Sequence, residues 1–416
     1  MKDNMTEADN KAQKKKKKKK SKWIKKRHTV LTKLVTPVFF VWAKLAYRVE
    51  INRLKKKDSR QFLILSNHQT EFDQFFIGLT FPQAVYYVAS EDMFSIGFLA
   101  KLLKWAVAPI PFKKSTNDVG AVMNCMRIAH DGGTICVFPE GNRTYHGRTV
   151  NMKDSIATMA KKMRLPIAFF RIENGYGVQP RWSNVKRKGR MKAGITRIME
   201  PEEFSSLSEQ ELYEIIKKEL FVDEHTLQGE FRSKRLAEYI ERAFYVCPDC
   251  GLSNFSSSRC RITCTRCGKQ IDYLPDKTLK GVGFDFRFKN EGEWYDYQED
   301  FIRKLDLSEY IDTPAYEEKA VFIKVIPYKF KQVISKNAIV RLFGDRYEIT
   351  FDNETRTLAF ADISATTAVG RNKFNIYTRE DIFQIKSDEH FNALKYVNFY
   401  YAMRNGEDGN AEFLGL

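Results

Sequence analysis

His68 and Asp73, five positions apart in Asn67-His68-Gln69-Thr70-Glu71-Phe72-Asp73, are residue types that can move a proton. A carboxylate on one imidazole nitrogen fixes the tautomer and leaves the other nitrogen basic. Within one continuous helix, positions five apart point about 140° away from each other. The pair can therefore meet only if His68 lies in a turn and Asp73 in the first helical turn. The flanks favour that arrangement. Phe62-Leu63-Ile64-Leu65 reads as a buried strand, and Phe72 to Leu79 reads as a helix. Strand-to-helix turns are where α/β proteins present reactive side chains. The same spacing also suits a satisfied histidine at a helix start beside an unrelated acid.

Two more segments end apolar runs in polar groups. Phe138-Pro139-Glu140-Gly141-Asn142-Arg143-Thr144 follows the apolar stretch Thr134 to Phe138. Gly141 lets a backbone approach a ligand closely, and Arg143 can clamp a phosphate through two parallel hydrogen bonds. Ile110-Pro111-Phe112 is followed by the cations Lys113 and Lys114. Singly these are ordinary loop residues; together they make a base, its orienting acid and a phosphate clamp.

A third group is metal chemistry. Cys247-Pro248-Asp249-Cys250-Gly251 and Cys264-Thr265-Arg266-Cys267-Gly268 are two Cys-x-x-Cys knuckles 13 residues apart. Four thiolates at this spacing suit tetrahedral Zn(II) in a structural role, and each following Gly suits a turn of positive φ. Disulfides are the alternative, and nothing in the chain points to secretion. Cys260 is a spare; Cys125 and Cys136 sit in apolar surroundings as core residues.

The 416 residues suffice for two to three domains at ~150 residues each. Net charge is +18, and residues 1–60 hold 21 Lys or Arg against 5 Asp or Glu, so the basicity belongs to one end. Residues 1–27, with the run Lys14 to Lys20, read as a disordered polybasic tail. Residues 28–58 read as an amphipathic helix lying in a membrane interface. Its apolar stretch, Leu34 to Ala43, is too short to span a bilayer, which takes about 20 residues. The tail then gains roughly 1 kcal/mol per cation near an anionic leaflet. That assigns the chain to the cytoplasmic face of a membrane, peripheral or monotopic. A solvated tail with a buried core helix, or a nucleic-acid arm, are the competing readings of this end.

Residues 59–244 alternate short apolar strands (Gln83 to Val88, Thr134 to Phe138, Leu165 to Arg171) with helices such as Ile96 to Val107, an α/β pattern. Pro201 to Tyr245 is acidic and helical, with a capping box at Ser208 to Glu211. A zinc ribbon over 245–274 and a linker or helical segment over 275–318 come next. Residues 319–416 hold seven expected strands: Ala320–Ile326, Ile339–Phe343, Tyr347–Phe351, Thr357–Phe360, Ala365–Val369, Lys373–Tyr377 and Ile382–Lys386. A closing helix, Glu389 to Arg404, carries Phe391, Leu394, Val397 and Tyr401 on one face. The pattern resembles a mostly-β PH-like or GRAM-like barrel.

Asn67-His68-x4-Asp73, Ile110-Pro111-Phe112 with Lys114, Phe138-Pro139-Glu140-Gly141-x-Arg143 and Leu165-Pro166-Ile167 resemble the four ordered blocks of the glycerolipid acyltransferases, the lysophosphatidate acyltransferases among them. The resemblance covers roughly residues 30–200. The first and third blocks, about 70 residues apart, carry its specificity. Lys114 stands where the family has Arg, which keeps the charge and loses the bidentate fork. The resemblance implies a 1-acylglycerol-3-phosphate O-acyltransferase, with His68 as general base oriented by Asp73. Glu140, Gly141, Arg143, Lys113 and Lys114 would bind substrate, with a backbone N–H near Gly141 for the oxyanion. It implies a lysophospholipid acceptor, an acyl-CoA or acyl carrier protein donor, an anionic membrane surface and no cofactor for catalysis. Two other readings compete. A nucleic-acid-binding zinc-ribbon protein leaves the four blocks unexplained, and a non-catalytic lipid-binding adaptor has no need of the intact His68, Asp73, Glu140 and Arg143.

Overall fold

The computed structural model describes residues 23–54, 58–90, 94, 98–112, 119–327 and 329–408. The first half is built on a seven-stranded sheet. Its strands are β1 (Val49–Asn52), β2 (Leu63–Ser66), β3 (Val85–Ser90), β4 (Ile110–Phe112), β5 (Thr134–Val137), β6 (Ile167–Glu173) and β7 (Met191–Met199), in the order β1-β7-β6-β2-β5-β3-β4. β2 to β6 run parallel. β7 turns back along β6, and β1 follows β7.

Alternation along the strands divides two cores. Leu63, Leu65, Ile167 and Phe169 face one layer, with Ile128, Ile156, Leu212 and Ile216. Phe62, Ile64, Ala168 and Phe170 face the other, with Phe76 and Tyr47. Successive strand residues point to opposite faces, so a β2 apolar on both sides must lie in the middle of the sheet. β2 lies there, between β6 and β5, and His68 follows its C-terminal end.

The N-terminal helix departs from its sequence reading. α1 (Lys26–Trp42) continues through a wider turn, Ala43–Tyr47, giving a 22-residue run long and apolar enough to cross a membrane. The run outreaches Leu34 to Ala43 because the helix continues past Lys33 on one side and Lys44 on the other, and the Thr32 and Thr36 hydroxyls donate back to the carbonyls of His28 and Thr32. It is nonetheless held on the domain. Arg27 donates to the Trp105 carbonyl and His28 Nδ1 lies 3.1 Å from the Tyr86 hydroxyl. Phe39 stacks on Phe75 with centroids 4.8 Å apart. Of the polybasic tail, Lys14 to Lys20 lies outside the described residues.

In the second half, short strands β8 (Val246–Cys247) and β9 (Gly251–Leu252) pair, and β10 (Phe255–Ser258), β11 (Arg261–Cys264), β12 (Gln270–Tyr273) and β13 (Leu279–Gly281) form a small sheet. After a helix, Glu291–Arg303, comes a seven-stranded antiparallel sheet. It comprises β14 (Tyr316–Ile326), β15 (Phe330–Leu342), β16 (Arg346–Phe351), β17 (Glu354–Ala359), β18 (Ile363–Ala368), β19 (Lys373–Thr378) and β20 (Ile382–Lys386), ordered β17-β16-β15-β14-β20-β19-β18. The closing helix is Ala393–Asp408, so Phe391 precedes it. It has no single apolar face: Ala393 through Tyr400 are all buried, because the helix lies between the sheet and the rest of the chain. One apolar core joins Trp182, Cys247, Trp294, Phe322 and Leu394, so the cysteine segment is fused to its neighbours.

Candidate active site and cysteine cluster

α2 (Asp73–Thr80) begins at Asp73 itself, directly after the turn that follows β2. Asn67 closes the strand by acting as a backbone substitute. Its amide donates to the Ile172 carbonyl at 2.8 Å and accepts from the Ile172 N–H at 2.8 Å, extending the β2–β6 ladder by one rung. That fixes where His68 leaves the sheet. His68 Nδ1 lies 2.8 Å from Asp73 Oδ2. Asp73 is fully buried and also accepts from the Gln69 N–H at 2.6 Å, the Thr70 N–H at 2.9 Å and the Thr70 hydroxyl at 2.6 Å. These donors saturate the carboxylate and hold it still. The Nδ1 contact assigns the proton to that nitrogen, leaving Nε2 as the basic atom. The His68 ring stacks on Phe138, centroids 4.4 Å apart, and keeps 21% of its side chain exposed.

Glu140 has another place than the sequence reading gave it. Its carboxylate is buried and turned inward, accepting from the His68 N–H at 2.7 Å and the Val150 N–H at 2.9 Å. Burial pushes its carboxyl up to about 8, against the pull of those two donors. Glu140 thus ties the third block to the first. Gly141, at φ +69°, makes the turn that only glycine adopts readily, and its N–H donates to the Phe138 carbonyl at 3.0 Å. The N–H groups of Gly141 and His68 are both taken up by these partners. Lys113 and Lys114 lie outside the described residues.

Arg143 lines a cleft of about 300 Å³ together with Glu71, Arg242, Arg371 and Asn372. Burial, and then the charge of Arg181, lower its guanidinium to about 10, while Glu71 opposes the fall. Arg143 Nη1 is buried with no hydrogen-bond partner among the described residues. A phosphate would supply one.

Sequence reasoning missed Thr70, Gln179, Phe138 as a stacking partner, and the residues brought by the second half. Thr70 had a local signal. Thr70-x-x-Asp73 is a capping pattern, and here the two side chains bond each other. Gln179 had none. It accepts from the Tyr47 hydroxyl at 2.9 Å and donates to Glu71 at 3.1 Å, residues far away in the chain.

The four knuckle sulfurs come together. Cys247, Cys250, Cys264 and Cys267 lie with their Sγ atoms within 4.8 Å of one another. Cys247–Cys267 is 3.8 Å and Cys250–Cys264 is 3.6 Å. A tetrahedron with metal–sulfur bonds of ~2.3 Å has edges of about 3.8 Å, so the cluster fits a zinc ion. Gly251 and Gly268 adopt φ of +71° and +73° after their knuckles. Cys260 stays apart, its sulfur 3.9 Å from the Ser233 carbonyl, and Cys125 and Cys136 are buried core residues.

Part of the chain is similar to known proteins. Residues 48–173 match the family described as Acyltransferase. A chloroplastic 1-acyl-sn-glycerol-3-phosphate acyltransferase of Brassica napus is 25% identical over 138 residues, 30% of this chain. The match spans 39% of that relative's own length. The crystal structure of the 1-acyl-sn-glycerophosphate acyltransferase PlsC from Thermotoga maritima is similar over 46% of this chain and 76% of its own. Identity there is 20% and the TM-score 0.36. The His68, Glu140 and Arg143 blocks all lie within residues 48–173, so the likeness to the family described as Acyltransferase takes in the turns after β2 and β5.

Proposed function

We propose that the chain moves a fatty acyl group from an acyl thioester to the free hydroxyl of a lysophospholipid, with 1-acylglycerol-3-phosphate as acceptor and phosphatidate as product. The observation that carries this reading is the 2.8 Å contact between His68 Nδ1 and a fully buried Asp73. His68 Nε2 takes the acceptor's hydroxyl proton as the oxygen attacks the thioester carbonyl. The new C–O bond forms, the C–S bond breaks, and His68 returns the proton to the departing thiolate. Asp73 holds the ring and stabilises its charged form, while Arg143 holds the phosphate. Glu140 is a positioning residue through the His68 backbone.

The substrate is a lipid, and the exposed face of α1 supports a seat in the membrane interface. Val30, Leu34, Val38, Val41 and Leu45 recur every three or four residues and are each more than half exposed. The opposite face packs on the domain, which favours a helix lying on the bilayer over one crossing it. The test is acyl transfer to a panel of lysolipids on anionic vesicles, with flotation measured in parallel. His68→Ala should lower transfer at least about 10³-fold while floating and melting like the wild type. An active His68→Ala variant would overturn the assignment.

We read the cysteine cluster as a structural zinc ribbon, and the seven antiparallel strands with their closing helix as a PH-like domain. One zinc per chain is expected by elemental analysis of the purified protein, falling in Cys264→Ser. A metal-free, stably folded wild type would exclude the ribbon.

A further inference from the structure

We infer that the turn between β18 and β19 of the C-terminal sheet completes the acceptor site: Arg371, with Arg143 and Arg242, holds a phosphomonoester dianion. The inference rests on the acyl-transfer reading and gives the second half of the chain a part in it. Arg371 reaches across 300 residues to Glu71, Nη2 to Oε2 at 3.1 Å. Glu71 lies inside the first block, between His68 and Asp73. The C-terminal sheet therefore docks on the reactive loop itself.

The docking is built. Gly370, at φ +64°, makes the turn, and Asn372 donates to the carbonyls of Ser387 and Asp388 at 2.7 and 2.8 Å. Arg181 bridges the two halves, donating to the Arg143 carbonyl at 2.8 Å and the Ala368 carbonyl at 2.9 Å. Arg242 donates to the carbonyls of Glu389 and Trp182 and to Asn184, so it brings charge to the cleft with most of its donors engaged.

Arg143 Nη1 and Arg371 Nε differ. Both are buried and neither has a hydrogen-bond partner among the described residues. Three guanidinium groups thus share a cleft of about 300 Å³ with Glu71 and Glu389. Buried donors without partners, held close to like charges, are costly unless an anion joins them. A phosphomonoester carries two negative charges and three acceptor oxygens, which suits two forks and one further cation. A choline-bearing phosphodiester carries one negative charge and adds a cation, so it gains less. Glu71 occupies Arg371 in the free protein, and the dianion takes its place or joins it.

The experiment compares wild type, Arg371→Ala and Arg371→Lys, with His68→Ala as reference. KM for 1-acylglycerol-3-phosphate should rise about ten- to a hundredfold in Arg371→Ala with kcat within twofold. KM for a neutral monoacylglycerol acceptor should not move. Arg371→Lys should fall between, since it keeps charge without the fork. A purely structural ion pair would change both acceptors alike, and that result overturns the inference. Where Arg371→Ala lowers the melting temperature, Arg371→Gln, which still donates to Glu71, is measured in its place.

Calorimetric titration with a short-chain lysophosphatidate, and separately with inorganic phosphate, reads binding without turnover. Arg371-dependent affinity for the lysolipid alone supports a headgroup site. The same dependence for inorganic phosphate supports a site for free phosphate as well. Equal affinity in wild type and Arg371→Ala overturns the inference even where His68-dependent transfer is seen. Arg371-dependent binding without His68-dependent transfer overturns the acyl-transfer reading and leaves the anion site standing.

Discussion

The turns after β2 and β5 leave the same edge of the sheet from adjacent parallel strands, with Leu65 opposite Val137, yet their buried carboxylates are held in opposite ways. Among the described residues, Asp73 takes its donors from His68, Gln69 and Thr70, within five positions of itself. Glu140 takes one donor from the His68 backbone, 72 residues away, and one from Val150. The first turn organises itself; the second is a strut that sets the angle of the first. A carboxylate that directs a ring must be fixed locally, whereas one that spans two loops serves through its length and its burial.

The largest break in this comparison comes from Asp73→Asn. The amide presents N–H groups to donors and stabilises the wrong imidazole tautomer, so kcat should fall by about 10³- to 10⁴-fold. Buried donors left unmatched should also lower the melting temperature. Steady-state kinetics at saturating acceptor decide it, and a kcat near wild type would mean that Asp73 does not direct His68.

Glu140→Gln should be much milder, within about tenfold in kcat, because burial pushes that carboxyl up to about 8, toward the neutral form that an amide resembles. The pH dependence sharpens the contrast. An acid raised in the folded protein keeps a proton that the unfolded chain loses near pH 4.5. Its contribution to stability therefore falls as pH rises from about 4.5 through 8. The difference in unfolding free energy between wild type and Glu140→Gln should shrink by a few kcal/mol over that window. Denaturant titrations at pH 5 and 8 read it, and taking a difference cancels groups such as Glu224, raised to about 7 by burial. A difference that does not change with pH would mean an ionised Glu140.

Much of the reactive turn was legible because its parts are local. β2, the turn holding His68, α2 starting at Asp73, and the two glycines with positive φ after the knuckles all follow from short-range pattern. What escaped is non-local. β7, Met191–Met199, mixes lysine and arginine into its alternation, which hides its strand period in the sequence. The closing helix showed a stripe in sequence but is buried nearly all round, since tertiary packing and not amphipathicity decides its exposure. Of the arginine cleft only Arg143 carried a signal, its block, because Arg242 and Arg371 are ordinary cations until the fold joins them.

The hydrogen-bond chain Tyr47–Gln179–Glu71–Arg371 gathers segments far apart in sequence onto the loop that holds His68. Synthesis from the N-terminus delivers those segments at different times. At elongation rates of roughly 5–20 residues per second, position 371 follows position 173 by on the order of ten to forty seconds. For that interval the nascent chain holds His68 and Asp73 but not Arg371, with which Glu71 pairs. Glu71 therefore meets this partner only after β2 and its two neighbouring strands have been made.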